Sequence, residues 1–153
     1  MNVVFIGKHI YPKDIFSNEQ DLKTWRSLSI YFSRLFVIAQ SPDLFFHLGQ
    51  EKNIQIYLIP RLGYAVFIKC AVILGLYLKL RFSVDVFDAS EVVGGGMTVT
   101  FLKFLTNKPT VIEVQGEIFR KPGNRQNLKS WLLQWMGRYA MKRAARVRVI
   151  SST

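Results

Sequence analysis

The sequence predicts an α/β domain, a Rossmann-like parallel sheet with helices on both faces. Three observations lead to that class. Short β-branched and aromatic runs recur along the chain, most of them without polar alternation, as expected of strands covered on both sides. Segments of helical period separate them. Polar or glycine-containing turns close the runs where strand gives way to helix. Alternation of this kind favours parallel pairing with right-handed crossovers. The 153 residues suffice for one domain, and a chain that is 50% hydrophobic has the material for a core, which excludes a disordered protein.

Val3 to Gly7 reads as the first strand, followed by a polar loop from Lys8 to Ser17. Ser17 and Gln20 have capping-box spacing. Leu22, Trp25, Leu28, Phe32 and Leu35 then follow at helical spacing. Phe36 to Ala39 is a second strand, ended by Gln40-Ser41-Pro42-Asp43. Ile54 to Ile59 is a third, stopped by Pro60. Tyr64 to Leu80 is the most apolar stretch and holds one charge, Lys69, before Lys79 and Arg81. It sits at the short limit for a membrane span, and the strand patterns on either side favour a buried or interfacial helix. Val84 to Phe87 is a fourth strand, and Met97 to Leu105 a helix. Thr110 to Val114 is a fifth strand. A further helix carries Leu128, Trp131, Leu132, Trp135, Met136 and Tyr139 on one face and cations elsewhere; the pattern suits docking at an anionic membrane surface, and a stripe lying in the core is the plainer expectation. Val147 to Ile150 is the last strand.

In sheets of this kind ligands bind outside the carboxyl ends of the strands. Three segments there have chemical potential. Asp88-Ala89-Ser90-Glu91 leads into Gly94-Gly95-Gly96, a strand-to-helix turn whose backbone N–H groups and helix dipole suit an anion. Asp88 and Glu91 can accept sugar hydroxyls or serve as a base. A hydrated turn with a helix cap is the plainer alternative. Neither the dinucleotide fingerprint nor a P-loop is present. Gln115-Gly116-Glu117 offers an amide, close backbone approach and a carboxylate at a strand end. Glu113, inside an apolar strand, must be paired or reach the sheet edge.

The net charge is +11, and nine basic residues with no Asp or Glu follow from Ile118 onward. Such a field attracts phosphates, nucleic acid or acidic lipid headgroups. A nucleic-acid recognition motif is lacking. Cys70 has no partner for an internal disulfide, which fits a reducing, cytoplasmic compartment. The N-terminus lacks the basic segment of a signal peptide. His9 and His47 have no neighbour at ligand spacing, so no metal site is expected.

From Val84 to Ser151 these segments together resemble the N-terminal domain of family 4 glycosyltransferases of the GT-B class. The similarity lies in Val84-Asp85-Val86-Phe87-Asp88-Ala89-Ser90-Glu91, the glycine cluster, and Lys108 to Glu117. Val147-Arg148-Val149-Ile150-Ser151 adds a strand ending in serine. The resemblance implies one half of a two-domain enzyme, the acceptor side of a retaining glycosyltransferase. Its donor would be a nucleotide-sugar and its acceptor a glycan or lipid-linked glycan, at the inner membrane face in many members. It implies no metal or other cofactor. Lys8, Asp88, Glu91 and Gly94 to Gly96 would shape the acceptor side. Gln115, Gly116 and Glu117 would face the donor sugar, and Arg120 and Lys121 would meet phosphates or lipid headgroups. Gln115 stands where many members have histidine, and Lys8 to Lys13 lacks the usual glycine pair. The donor domain lies outside this sequence, so the chain alone is expected to be inactive. A non-catalytic module that binds anionic membranes or a separate donor-domain chain is the other reading.

Overall fold

A computed structural model describes residues 1–12, 16, 19–115 and 128–150, without the side chains of 19–21, 115, 129 and 150. The elements run β1 (Asn2–Ile10), α1 (Glu19–Ser29), β2 (Arg34–Gln40), β3 (His47–Glu51), β4 (Ile54–Ile59), α2 (Tyr64–Phe82), β5 (Val86–Ala89), α3 (Gly94–Thr106), β6 (Thr110–Gln115), α4 (Leu128–Arg143) and β7 (Arg146–Ile150). All seven strands form one sheet in the order β3-β4-β2-β1-β5-β6-β7. Every neighbouring pair is parallel except β3 with β4. The fold is the α/β, Rossmann-like one expected. Successive strands step outward from β1 on one side and from β5 on the other, so the winding reverses between these two.

Apolar residues pack on both faces of the sheet. On one, Leu22 and Trp25 of α1 meet Val3, Leu35, Val37, Ile54 and Ile56. On the other, α2, α3 and α4 cover Val4, Ile6, Phe36, Ile38, Phe87 and Ile112. β2 returns to β4 through the β3 hairpin rather than through a helix. Among the described residues α1 is therefore alone on its face. It covers the β4–β2–β1 half and leaves the β5–β6–β7 half without a described helix.

Five expectations shift, four of them in the strands and in α1 and α3. β3 is a polar edge strand, and its five residues carry no apolar alternation to read. It folds back at Lys52, which has φ 51. α1 stops at Ser29, so Phe32 is not helical and Leu35 belongs to β2. The Asn53 amide ends the helix by donating to the carbonyls of Ser29 and Phe32, each at 2.9 Å. β5 begins two residues later than expected, because Asp85 exchanges hydrogen bonds with Asn2 before pairing starts. Asp88 therefore lies inside the strand. Finally, Gly94-Gly95-Gly96 is the first turn of α3 and not a turn ahead of it. The Ser17–Gln20 capping box lies outside the described residues.

α4 reverses the expected orientation. Ala140 is buried, and Met136, Met141 and Ala144 pack inward beside it. Leu128, Trp131, Leu132, Trp135 and Tyr139 are exposed. The small residues allow the helix to lie close to the layer beneath, and the bulky ones are left outside.

The layer on that face also depends on a close approach between α3 and β1. A Cβ on Gly95 would stand 2.4 Å from the Ile6 carbonyl oxygen, a backbone atom that cannot move aside. We expect Gly95→Ala to destabilise the fold by about 2 kcal/mol or more, the scale of an overpacked core. Urea unfolding monitored by circular dichroism checks this.

Candidate functional site

The winding reverses between β1 and β5, and the carboxyl ends of these strands diverge there. In open α/β sheets this is where ligands bind. The two ends first come into contact. Ser90 N–H donates to the Ile6 carbonyl at 3.0 Å. A Cβ on Gly7 would fall 2.0 Å from Ser90 Oγ, so a side chain at that position would block the crevice.

Glu91 follows at the start of the α3 turn. Its carboxylate accepts from Val93 N–H at 2.8 Å, from Gly94 N–H at 3.1 Å and from Gly95 N–H. These are orphan donors of a helix N-terminus, where negative charge is favoured. The N–H groups that the glycine segment offers to an external anion are thus held by the chain's own carboxylate. The Lys8 ammonium stands 3.8 Å from the centre of the Tyr64 ring, at the start of α2. Burial, and then the Glu91 charge, push the Tyr64 hydroxyl pKa upward.

The crevice opens into a groove of about 930 Å³ on the α1 face. Its floor is the half of the sheet that α1 does not cover. One wall is aromatic. Phe5 lies 5.2 Å from Trp25, and Trp25 Nε1 donates to the Tyr11 hydroxyl at 2.7 Å. Lys23 of α1 and Lys8 and His9 of β1 stand on the near side. Ser90, Glu91, Glu113 and Arg148 line the far side.

Sheet register explains this grouping. Asp88 pairs with Phe5 on one side and Val111 on the other, so the three share a face. Glu113, two residues beyond Val111, points the same way and pairs with Arg148 of β7. Arg148 Nη1 lies 3.4 Å from Glu113 Oε1, which provides the partner that Glu113 was expected to need. Asp88 Oδ1 is buried without a hydrogen-bond partner in the described structure. Burial pushes the Asp88 carboxyl up to about 7; the Glu113 charge adds to the rise and Arg148 opposes it. Near neutrality this group can hold or release a proton.

Of the residues singled out in the sequence, Lys8 and Glu91 line the groove. Asp88 lies on the same face beside Glu113 and Arg148. Gly94, Gly95 and Gly96 are buried in α3. The backbone of Gln115 pairs with Ile150 at the carboxyl end of β6. Its side chain and all of Gly116, Glu117, Arg120 and Lys121 lie outside the described residues. Sequence reading does not assign His9, Tyr11, Lys23 or Trp25 to the site. Only the return of α1 beside the carboxyl ends brings them in. Arg148 was read as one charge in a basic tail. Its position two residues after the start of β7, matching Glu113 in β6, was the available signal. Among the described residues no cluster of His, Cys, Asp and Glu could hold a metal.

Fold and site together define a doubly wound α/β domain with a polar groove at its switch point. No protein-family model matches the chain, and no curated protein matches it.

The raised Asp88 pKa fixes the sign of a pH effect. Between its ordinary value of 3.8 and about 7 the folded state holds a proton that the unfolded state has lost. This contribution to stability is therefore lost as pH rises through that window. Asp88→Asn cannot titrate. Relative to the parent chain it should be more stable at pH 8 than at pH 5, as read from unfolding midpoints at the two pH values. An offset independent of pH would contradict the assignment.

Proposed function

We propose that this chain forms the acceptor-side domain of a retaining glycosyltransferase. It would serve transfer of a sugar from a nucleotide-sugar to a lipid-linked or polysaccharide acceptor. One observation carries the reading. Lys8, Ser90 and Glu91 converge where β1 and β5 part, Glu113 and Arg148 line the groove beside them, and Asp88 lies on the same sheet face. The residue pattern from Val84 to Ser151 supports the same class.

The groove suits a carbohydrate. Its volume lies within the range of about 300 to 1,000 Å³ usual for small-ligand sites. Trp25 and Phe5 give an apolar wall for the C–H face of a sugar ring. Lys8, Lys23 and Arg148 donate to hydroxyls or to an acidic group on the acceptor, and Glu113 accepts. Asp88, poised between charged and neutral, takes up or gives a proton at neutral pH. On the residue pattern, Gln115, Gly116 and Glu117 face the donor sugar, and Arg120 and Lys121 meet phosphates. Transfer also requires stabilisation of the departing diphosphate. That work falls mainly to a donor-binding domain. A binding-only role draws on Gln115, whose amide cannot titrate near neutral pH.

One experiment separates the two readings. The chain, together with any coding sequence found to follow Thr153 or a separately encoded donor-binding domain, is screened against a panel of nucleotide-sugars and glycan or lipid-linked acceptors. Transfer of labelled sugar is expected. Lys8→Ala should raise the acceptor KM about tenfold, near 1.4 kcal/mol, and leave the donor KM unchanged. If no donor stabilises the protein to heat and no label moves, the transferase reading fails. Glycan binding without transfer would leave the binding-only role.

A further inference from the structure

The outer surface of α2, α3 and α4 plays no part in the groove, which opens on the opposite face of the sheet. We infer that this three-helix layer docks the domain flat on an anionic lipid bilayer, with the groove turned toward the aqueous side. The inference does not rest on the transferase reading.

Side-chain chemistry on the three helices supports it. Each turns apolar side chains outward. α2 exposes Ile73, Tyr77 and Leu80, and α3 exposes Phe101, Phe104 and Leu105. Phe104 is 88% exposed, Trp131 53% and Trp135 51%. α3 packs between α2 and α4, so the three exposed stripes lie side by side. A water-facing helix layer would carry polar residues at these positions. Large exposed apolar patches mark interaction sites.

Charge selects the partner. The three helices carry eight Lys and Arg residues and no Asp or Glu. A protein partner usually meets mixed charge, whereas a surface of one sign with interleaved aromatics matches an acidic headgroup layer. Tryptophan and tyrosine favour the headgroup level, where one end of the ring is apolar and the other wet. Trp135 stacks on Tyr139 at 5.7 Å, and Arg143 lies 5.5 Å from the Tyr139 ring. Between α3 and α4 a groove of about 370 Å³, lined by Lys103, Phe104, Tyr139 and Arg143 among others, opens on this surface. No described helix is long and apolar enough to cross a membrane. The contact is therefore interfacial.

Vesicle cosedimentation of the 153-residue chain tests this, with phosphatidylcholine alone and with phosphatidylcholine containing 30% phosphatidylglycerol (about one charge in three headgroups, a strongly anionic surface). We expect partitioning at least tenfold stronger on the anionic vesicles and weakening as salt rises. Tryptophan emission should shift to the blue. Trp25 lies on the other face of the sheet, so Trp25→Phe should retain the shift and Trp131→Phe/Trp135→Phe should lose it. Phe104→Ser and Lys142→Glu/Arg143→Glu should each reduce binding several-fold, with circular dichroism unchanged. Because these positions are exposed on separate helices, misfolding of one variant leaves the others to decide. Equal binding to neutral vesicles, no binding, or a blue shift that persists without Trp131 and Trp135 would overturn the inference. Self-association abolished by the same variants, without vesicle binding, would assign the surface to a second copy. None of these measurements reads sugar transfer, so their failure is distinct from failure of the proposed function.

Discussion

The structure depends on backbone meeting backbone at the centre of the sheet. The end of β1 and the first turn of α3 approach so closely that Gly95 has no room for a Cβ, and beside them the Ser90 side chain fills the space over Gly7. Ser90 N–H fastens the contact to the Ile6 carbonyl. From this point the winding reverses, and the crevice, the groove and the position of α3 all follow. A methyl group at Gly95 would lift α3 away from β1 and disturb the layer beside it.

The two faces of the sheet have divided their work. On one face a single short helix leaves half the sheet open, and charged side chains occupy that half. Glu113 tolerates partial burial there because the exposed Arg148 guanidinium pairs with it across the strand register, and Asp88 does so by holding its proton more tightly, with Arg148 partly offsetting burial and the Glu113 charge. On the other face three helices cover the sheet from β4 to β6, and only the edge strands β3 and β7 keep exposed side chains such as Leu48 and Val149. Their inner sides supply the apolar contacts, and their outer sides keep the aromatic and basic residues. The chain's high hydrophobic content thus reflects an apolar exterior as well as a core.

Much of the fold was legible because parallel strands buried on both faces give unbroken apolar runs. β3 was not, since an edge strand needs neither face buried and its residues, His47 to Glu51, are mostly polar. α4 was read inside out for a related reason. Helical spacing of Trp131, Trp135 and Tyr139 identifies a stripe but does not say which way it faces. Here small residues at Gly137 and Ala140 decided the matter, because they let the helix approach closely. Among the site residues, Lys8 and Glu91 could be found from their place at strand ends. Tyr11, Lys23 and Trp25 could not, as their arrival depends on how α1 folds back. Asp88 was found by type but misplaced beyond its strand, and its shifted protonation follows from the burial that this placement brings.

The bond between Glu91 and the start of α3 also shapes what the crevice will accept. A phosphate seeking those N–H groups faces a rival that is tethered beside them, at an effective concentration no free metabolite matches. That rival already neutralises the helix end. Multiply charged ligands therefore gain little there, and the advantage passes to hydroxyl-rich guests that can bond to the carboxylate without evicting it.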